Sequence, residues 1–189
     1  GLSLNIIPIP TPENVPLSIP DVSEIRWSYA ASKTMGEIAC FAAKAEYGLK
    51  IQILRIHNIY GPRMGDKHVI PDLITKFSSG DFSVHGVHET RSFFYIDDLI
   101  NILFRLSDYE IVPEILNIGS SQEISIMNLA QMVAKTMRVT QALIAAESFP
   151  GSVKRRCPDV GILQNLINYD ETSLEVGVAH TVDWYLENK

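Results

Sequence analysis

Leu49-Lys50-Ile51-Gln52-Ile53-Leu54-Arg55-Ile56-His57-Asn58-Ile59-Tyr60-Gly61-Pro62-Arg63 is a nearly continuous apolar run with Arg55 embedded in it, and it stops abruptly in a turn. A short segment apolar on both faces reads as a strand buried on both sides, as in a parallel sheet covered by helices. In open α/β sheets ligands gather just outside the carboxyl ends of the strands, which makes Asn58 and the Tyr60-Gly61-Pro62 turn candidates for binding. The plainer alternative is an Asn and a Pro that close a turn. Upstream, Ser28 to Tyr47 spaces its Ala, Met and Ile residues as a helix does, and Gly48 ends it. On that helix Tyr29 and Lys33 are four positions apart, so both lie on one face. A phenol with an ordinary pKa of about 10 is a poor base at neutral pH, and a fixed cation beside it favours phenolate. The pair suits proton abstraction from a hydroxyl, although YxxxK alone is short enough to occur on any solvated helix.

Further along, Val69-Ile70-Pro71, Arg91-Ser92-Phe93-Phe94-Tyr95-Ile96-Asp97-Asp98, Asn117-Ile118-Gly119, Arg155-Arg156-Cys157-Pro158-Asp159 and Thr181-Val182-Asp183-Trp184-Tyr185 follow in that order. With the Tyr29/Lys33 pair and Arg55 through Arg63, this ordered series resembles the extended short-chain dehydrogenase/reductase family, specifically its NAD-dependent nucleotide-sugar epimerases, dehydratases and decarboxylases. The resemblance runs from about Glu13 to the C-terminus. It implies an α/β fold: part of a Rossmann-type doubly wound parallel sheet (residues 1–66, with the catalytic helix and the strand after it), merged with a small nucleotide-sugar-binding lobe (mainly residues 67–189). It further implies NAD as a transient hydride acceptor and a nucleotide-diphosphate sugar as substrate, converted through a keto-sugar. Tyr29 and Lys33 would be the catalytic pair and contact the cofactor together with Ile56 and His57. Asn58, Val69, Arg91 and Arg155 would hold the substrate. For Arg91 the competing expectation is an ion pair with Glu89.

The expected activity is that of an epimerase or dehydratase. The alternatives are a decarboxylase, which Arg26-Trp27-Ser28-Tyr29 resembles, a 4,6-dehydratase, or a non-catalytic binding or assembly domain of the same fold. No GxGxxG or GxxGxxG turn occurs in the sequence, although the family grips the cofactor pyrophosphate with such a turn and the helix after it. The expectation is therefore the carboxyl-terminal portion of a longer enzyme, inactive alone and homodimeric when whole.

The 189 residues, 46% of them hydrophobic, suffice for one substantial core. The net charge of −6, with no basic run beyond Lys154-Arg155-Arg156, argues against nucleic acid as a partner. No apolar run suits a membrane span and no signal pattern opens the chain, so a cytoplasmic protein is expected. Cys40 and Cys157 lack metal-ligand spacing and read as free thiols. His85, His88 and Glu89 flank a turn without a fourth ligand, so no metal site is expected. Elsewhere the pattern predicts an extended connector over Asn5–Ser23 with five prolines and a helix over Ile70–Phe77. A short strand over Phe82–Gly86 follows, then a helix capped by Asp97 and running to Leu106. Ser125 should cap a helix to Met137, and a last helix should present Leu174, Val178 and Val182.

Overall fold

The computed structural model describes residues 8–17, 23, 25–109, 112–149 and 152–188. Chain order is α1 (Ser28–Tyr47), β1 (Ile53–Ile56), β2 (Ile59–Tyr60), α2 (Val69–Ser79), β3 (Ser83–His85), β4 (Thr90–Ser92), β5 (Phe94–Tyr95), α3 (Ile96–Leu106), β6 (Ile115–Ile118), β7 (Glu123–Ser125), α4 (Ile126–Thr136), β8 (Ile144–Ala146), β9 (Arg155–Arg156), α5 (Gly161–Leu166) and α6 (Leu174–Glu187), after one 3-10 turn at Ile25–Trp27. The fold is α/β. Parallel pairs join β1 to β6, β2 to β5 and β3 to β8, while β4 lies between antiparallel β7 and parallel β9.

The apolar run read as one buried strand is two short ones. Ile53 is buried but Ile56 is 48% exposed, and the chain breaks at Asn58, where φ is 43°. Asn tolerates this left-handed conformation because its short amide bonds nearby backbone, here through Nδ2 donating to the Ser92 carbonyl at 3.0 Å. The kink re-aims the chain so that Ile59 and Tyr60 pair with Phe94 and Tyr95 rather than extending β1. Gly61 must be glycine, since a Cβ there would collide with Cγ2 of Ile96.

Two apolar clusters fill the interior. One gathers Ile70, Leu73, Ile74 and Phe77 of α2, Leu129 and Val133 of α4, Val178, Val182 and Tyr185 of α6, and Tyr60 and Tyr95. The other packs Leu99, Ile102 and Leu106 of α3 and Leu163 and Ile167 of the α5 segment around Leu116, Ile118 and Phe94. Helical periodicity explains both, because α2, α4 and α6 turn their apolar stripes toward one another and α3 turns its own toward β6, with Asp98 the buried charge among them. Ser125 caps α4 as expected, its hydroxyl accepting from the Asn128 N–H at 3.1 Å. Asp97 is not the cap of α3: Tyr95 holds that position, and Asp97 sits in the first turn, where its charge still complements the helix dipole.

The proline-rich opening is tied down more firmly than a surface connector. Thr11 bridges Pro158, with Thr11 N–H donating to the Cys157 carbonyl and Asp159 N–H to the Thr11 carbonyl, both at 2.9 Å, and Glu13 is buried. The flanking parts of that stretch, 5–7 and 18–22, lie outside the described residues. Cys40 and Cys157 are free thiols. Among the described residues no helix is long and apolar enough to cross a membrane.

Candidate active site

A cavity of about 440 Å³ opens where β2 gives way to α2. Asn58, Val69 and Arg91, three of the four residues expected to hold substrate, line it together with Lys67, His68, Lys76, Glu89 and Phe93. Each arrives by a different route: Asn58 through the kink after β1, Val69 at the start of α2, and Arg91 from β4. Leu73, Val84 and Ile126 give the cavity an apolar part, and Lys67, Lys76 and Arg91 stand around it with the carboxylates Asp72, paired with Lys76, and Glu89. This combination suits a ligand with an apolar or aromatic part and an anionic part.

Arg91 is held as a fork. Its Nη2 donates to Oε2 of Glu89 at 2.9 Å and its Nη1 to its neighbour's carbonyl, that of Thr90, at 2.7 Å. Both members of the ion pair are mostly buried, with side chains 15% and 13% exposed. The ion pair expected as the competing reading is therefore present, and it faces the same cavity. Gly86 permits it: φ there is +66°, and a Cβ would stand 2.8 Å from the Glu89 carboxyl carbon.

Sequence reading missed the aromatic wall. His85 stacks on Phe149 with centroids 4.6 Å apart and planes 27° apart, both lining the cavity, and His85 Nδ1 donates to the Glu147 carbonyl at 2.8 Å. Only the long-range pairing of β3 with β8 brings these rings together, and no local signal marks Phe149. His85 is thus engaged in ring stacking and a backbone bond rather than in metal-type geometry.

Arg155 does not line this cavity. It is half-exposed and doubly bonded to Glu123, Nε to Oε1 at 3.0 Å and Nη2 to Oε2 at 2.6 Å. The pair holds the Glu123 carboxyl below its ordinary range, chiefly through the Arg155 hydrogen bonds and then that from Thr90.

Tyr29 and Lys33 occupy the first turns of α1. The Tyr29 ring is 72% exposed, and the Lys33 ammonium lies over it at 5.3 Å from the centroid, a cation–π contact that shows the two do share one face. Ile56 ends β1 with half its surface open, and His57 follows it. Both amide hydrogens of Asn117 are spent on the carbonyls of Thr11 and Asp159, so its Oδ1 accepts, at 3.1 Å, from His57 Nε2. His57 is then the Nε2–H tautomer, and burial, the largest influence, pushes its pKa below the ordinary value against the pull of that bond. For NAD, these residues supply a phenol and an ammonium on one exposed helix face beside an open strand end, which fits the reactive end of the cofactor. They supply no glycine-rich turn for its pyrophosphate.

Comparison with known proteins gives the family. Residues 8–119 match the model of the NAD dependent epimerase/dehydratase family. The chain is 34% identical to UDP-N-acetyl-alpha-D-glucosaminuronate decarboxylase of Bacillus cytotoxicus over 87% of its own length and 55% of that protein's. It is 29% identical to GDP-L-fucose synthase of Escherichia coli, over 85% of this chain and 56% of that one. Among solved structures, UDP-glucuronic acid 4-epimerase of Bacillus cereus, in complex with UDP-glucuronic acid and NAD, superposes with a TM-score of 0.77 at 27% identity, over 92% of this chain and 54% of that one. The chain thus spans little more than half the length of these relatives.

Proposed function

Because the chain belongs to the NAD dependent epimerase/dehydratase family, we propose that the whole protein converts a nucleotide-diphosphate sugar by reversible oxidation of a sugar hydroxyl, as an epimerase or dehydratase. The observation that carries this reading is the cavity. It gathers a stacked ring pair, a forked arginine and two lysines, one of them paired with Asp72, beside apolar side chains, a combination that suits a base and a diphosphate. Arg91 and Asn58 orient the ligand, and the lysines add long-range attraction for its anion. Tyr29 takes the hydroxyl proton of the sugar, and Lys33, whose ammonium lies over the ring, orients the phenol and the cofactor. Lys33, Tyr29, Ile56 and His57 would hold NAD, which when bound supplies the hydride acceptor. The active form is a cytoplasmic homodimer on this reading. The exposed apolar side chains of α1, among them Met35 and Ile38, and the small Ala39 and Ala42 beside them support a helix-to-helix contact between copies.

Decarboxylase and 4,6-dehydratase outcomes use the same binding cavity. Incubating the whole protein with NAD and, in turn, UDP-glucuronic acid, UDP-N-acetylglucosaminuronic acid, UDP-glucose and dTDP-glucose, with products followed by NMR, separates them: an epimer, a shortened sugar with carbon dioxide, or a dehydrated keto-sugar. Tyr29→Phe should fold and bind UDP normally while turnover drops by about two or more orders of magnitude. Full activity in Tyr29→Phe, or binding without turnover in the wild type, would leave a non-catalytic binding domain as the better reading.

A further inference from the structure

Among the described residues no side chain of α1 is buried, so polar contacts weigh heavily in tying the helix that carries Tyr29 and Lys33 to this part of the protein. Its two ion pairs differ in quality. Near its end, Lys44 meets Glu114, with both side chains close to half exposed, at 43% and 47%. Such a pair contributes little and tolerates many geometries. One turn beyond Lys33, Glu37 meets Arg55 of β1 through two parallel bonds, Nε to Oε1 and Nη2 to Oε2, each 2.8 Å, with both side chains only 16% exposed. A planar fork facing a planar carboxylate fixes distance, tilt and rotation together.

The remaining guanidinium nitrogen extends the restraint. Arg55 Nη1 donates to the Glu13 carbonyl at 2.9 Å, and the Glu13 carboxylate accepts from the buried Asn117 N–H at 3.0 Å. Asn117 in turn accepts from His57. One continuous set of bonds therefore runs from α1 through β1 and the opening segment to β6, ending at a residue assigned to the cofactor side.

We propose that Arg55 and Glu37 are positioning residues: their bidentate pair sets the register of α1 against the sheet and so places Tyr29 and Lys33 over the carboxyl end of β1. This rests on the reading of Tyr29 and Lys33 given above. Neither partner lines the cavity, so the effect of removing one is on placement and hence on the chemical step. Misplacing reacting groups by about 1 Å can cost up to roughly a hundredfold in rate.

The test compares the whole protein as wild type, Glu37→Gln, Arg55→Met and Lys44→Met, by hydrogen–deuterium exchange and by steady-state kinetics on whichever sugar of the panel the wild type converts. Exchange across 28–47 should quicken by about tenfold in Glu37→Gln and Arg55→Met while α2, α4 and β6 stay protected. kcat should fall by about tenfold or more with KM within about twofold. Lys44→Met should change neither. Unchanged exchange in α1, faster exchange everywhere, unchanged kcat, or failure of both pair variants to fold would overturn the proposal, the last by making the pair a determinant of the fold itself. Exchange decides the anchoring whether or not a substrate is found, and Tyr29→Phe judges the chemical reading separately.

Discussion

Replacing Arg91 with Ala probes the cavity at its most charged point, and the structure makes the outcome depend on a second residue. The guanidinium is paired with Glu89 inside the same cavity, so its removal does two things at once. It deletes charge-assisted hydrogen bonds to a bound diphosphate, about 1.5 to 3 kcal/mol. It also leaves the mostly buried Glu89 carboxylate without its counter-charge, and that carboxylate's repulsion of the anion, up to about 3 kcal/mol at about 6 Å and an effective dielectric near 20, already acts in part in the wild type. Only the increase in that repulsion adds to the lost bonds, so the total is about 2 to 4 kcal/mol, or roughly thirtyfold to a thousandfold in Kd. Glu89→Gln alone should tighten binding several-fold, because the fork then carries its charge unopposed. The double variant should recover about tenfold relative to Arg91→Ala. Calorimetric titration of the whole protein with UDP, at low and at moderate salt, measures all four corners of the cycle. An Arg91→Ala protein that binds UDP as tightly as wild type, or a double variant no better than Arg91→Ala, would refute the placement of the diphosphate beside this pair.

Local signals were readable at most places where a single element decides its own form, the misplaced Asp97 cap being an exception. Gly48 closes α1 in the left-handed conformation and Ser125 caps α4, because both effects are settled within one turn of chain. The Tyr29/Lys33 pair was legible for the same reason, as a four-residue spacing on a helix. Asn58 shows the limit. Its residue type suggested a turn or a ligand contact, but the kink that splits the strand is fixed by the Ser92 carbonyl on another strand. Phe149 is further beyond reach, since it becomes a cavity wall only when β8 pairs with β3. For Glu89 and Arg91 the ion pair was foreseen as an alternative but its burial in a cavity was not, because two residues this close in sequence meet there only if the turn before them folds the carboxylate inward. Gly86 does this by a backbone conformation that its identity merely permits.

Gly177→Ala should destabilise the protein although it improves helix propensity. Up to about 1 kcal/mol is gained on an open helix, but here the added carbon would collide with the Tyr60 hydroxyl and stand 3.0 Å from Tyr95 Cδ2, and overpacking costs about 1 to 3 kcal/mol. A higher urea midpoint than wild type would show that Tyr60 yields freely. Ser125→Ala should cost about 1 kcal/mol by leaving an α4 N–H unpaired, and an unchanged midpoint would rule the cap out as a contributor. The last prediction concerns pH. Burial lowers the His57 pKa from its ordinary 6.5 in the folded protein, so at pH values between the lowered and the ordinary value the unfolded chain binds more protons than the folded one. Stability then rises with pH through that window and levels off above about 6.5. It is lost as pH falls through the folded value, where the buried imidazole must take a charge beside Arg55 and Arg156, which both disfavour it. His57→Gln retains a donor for Asn117 Oδ1 but has nothing to titrate, so it should flatten the slope just below about pH 6.5 while leaving the region above unchanged. Urea denaturation across that range, wild type against variant, measures the difference, and equal slopes in the two proteins would mean that His57 is not the group that titrates.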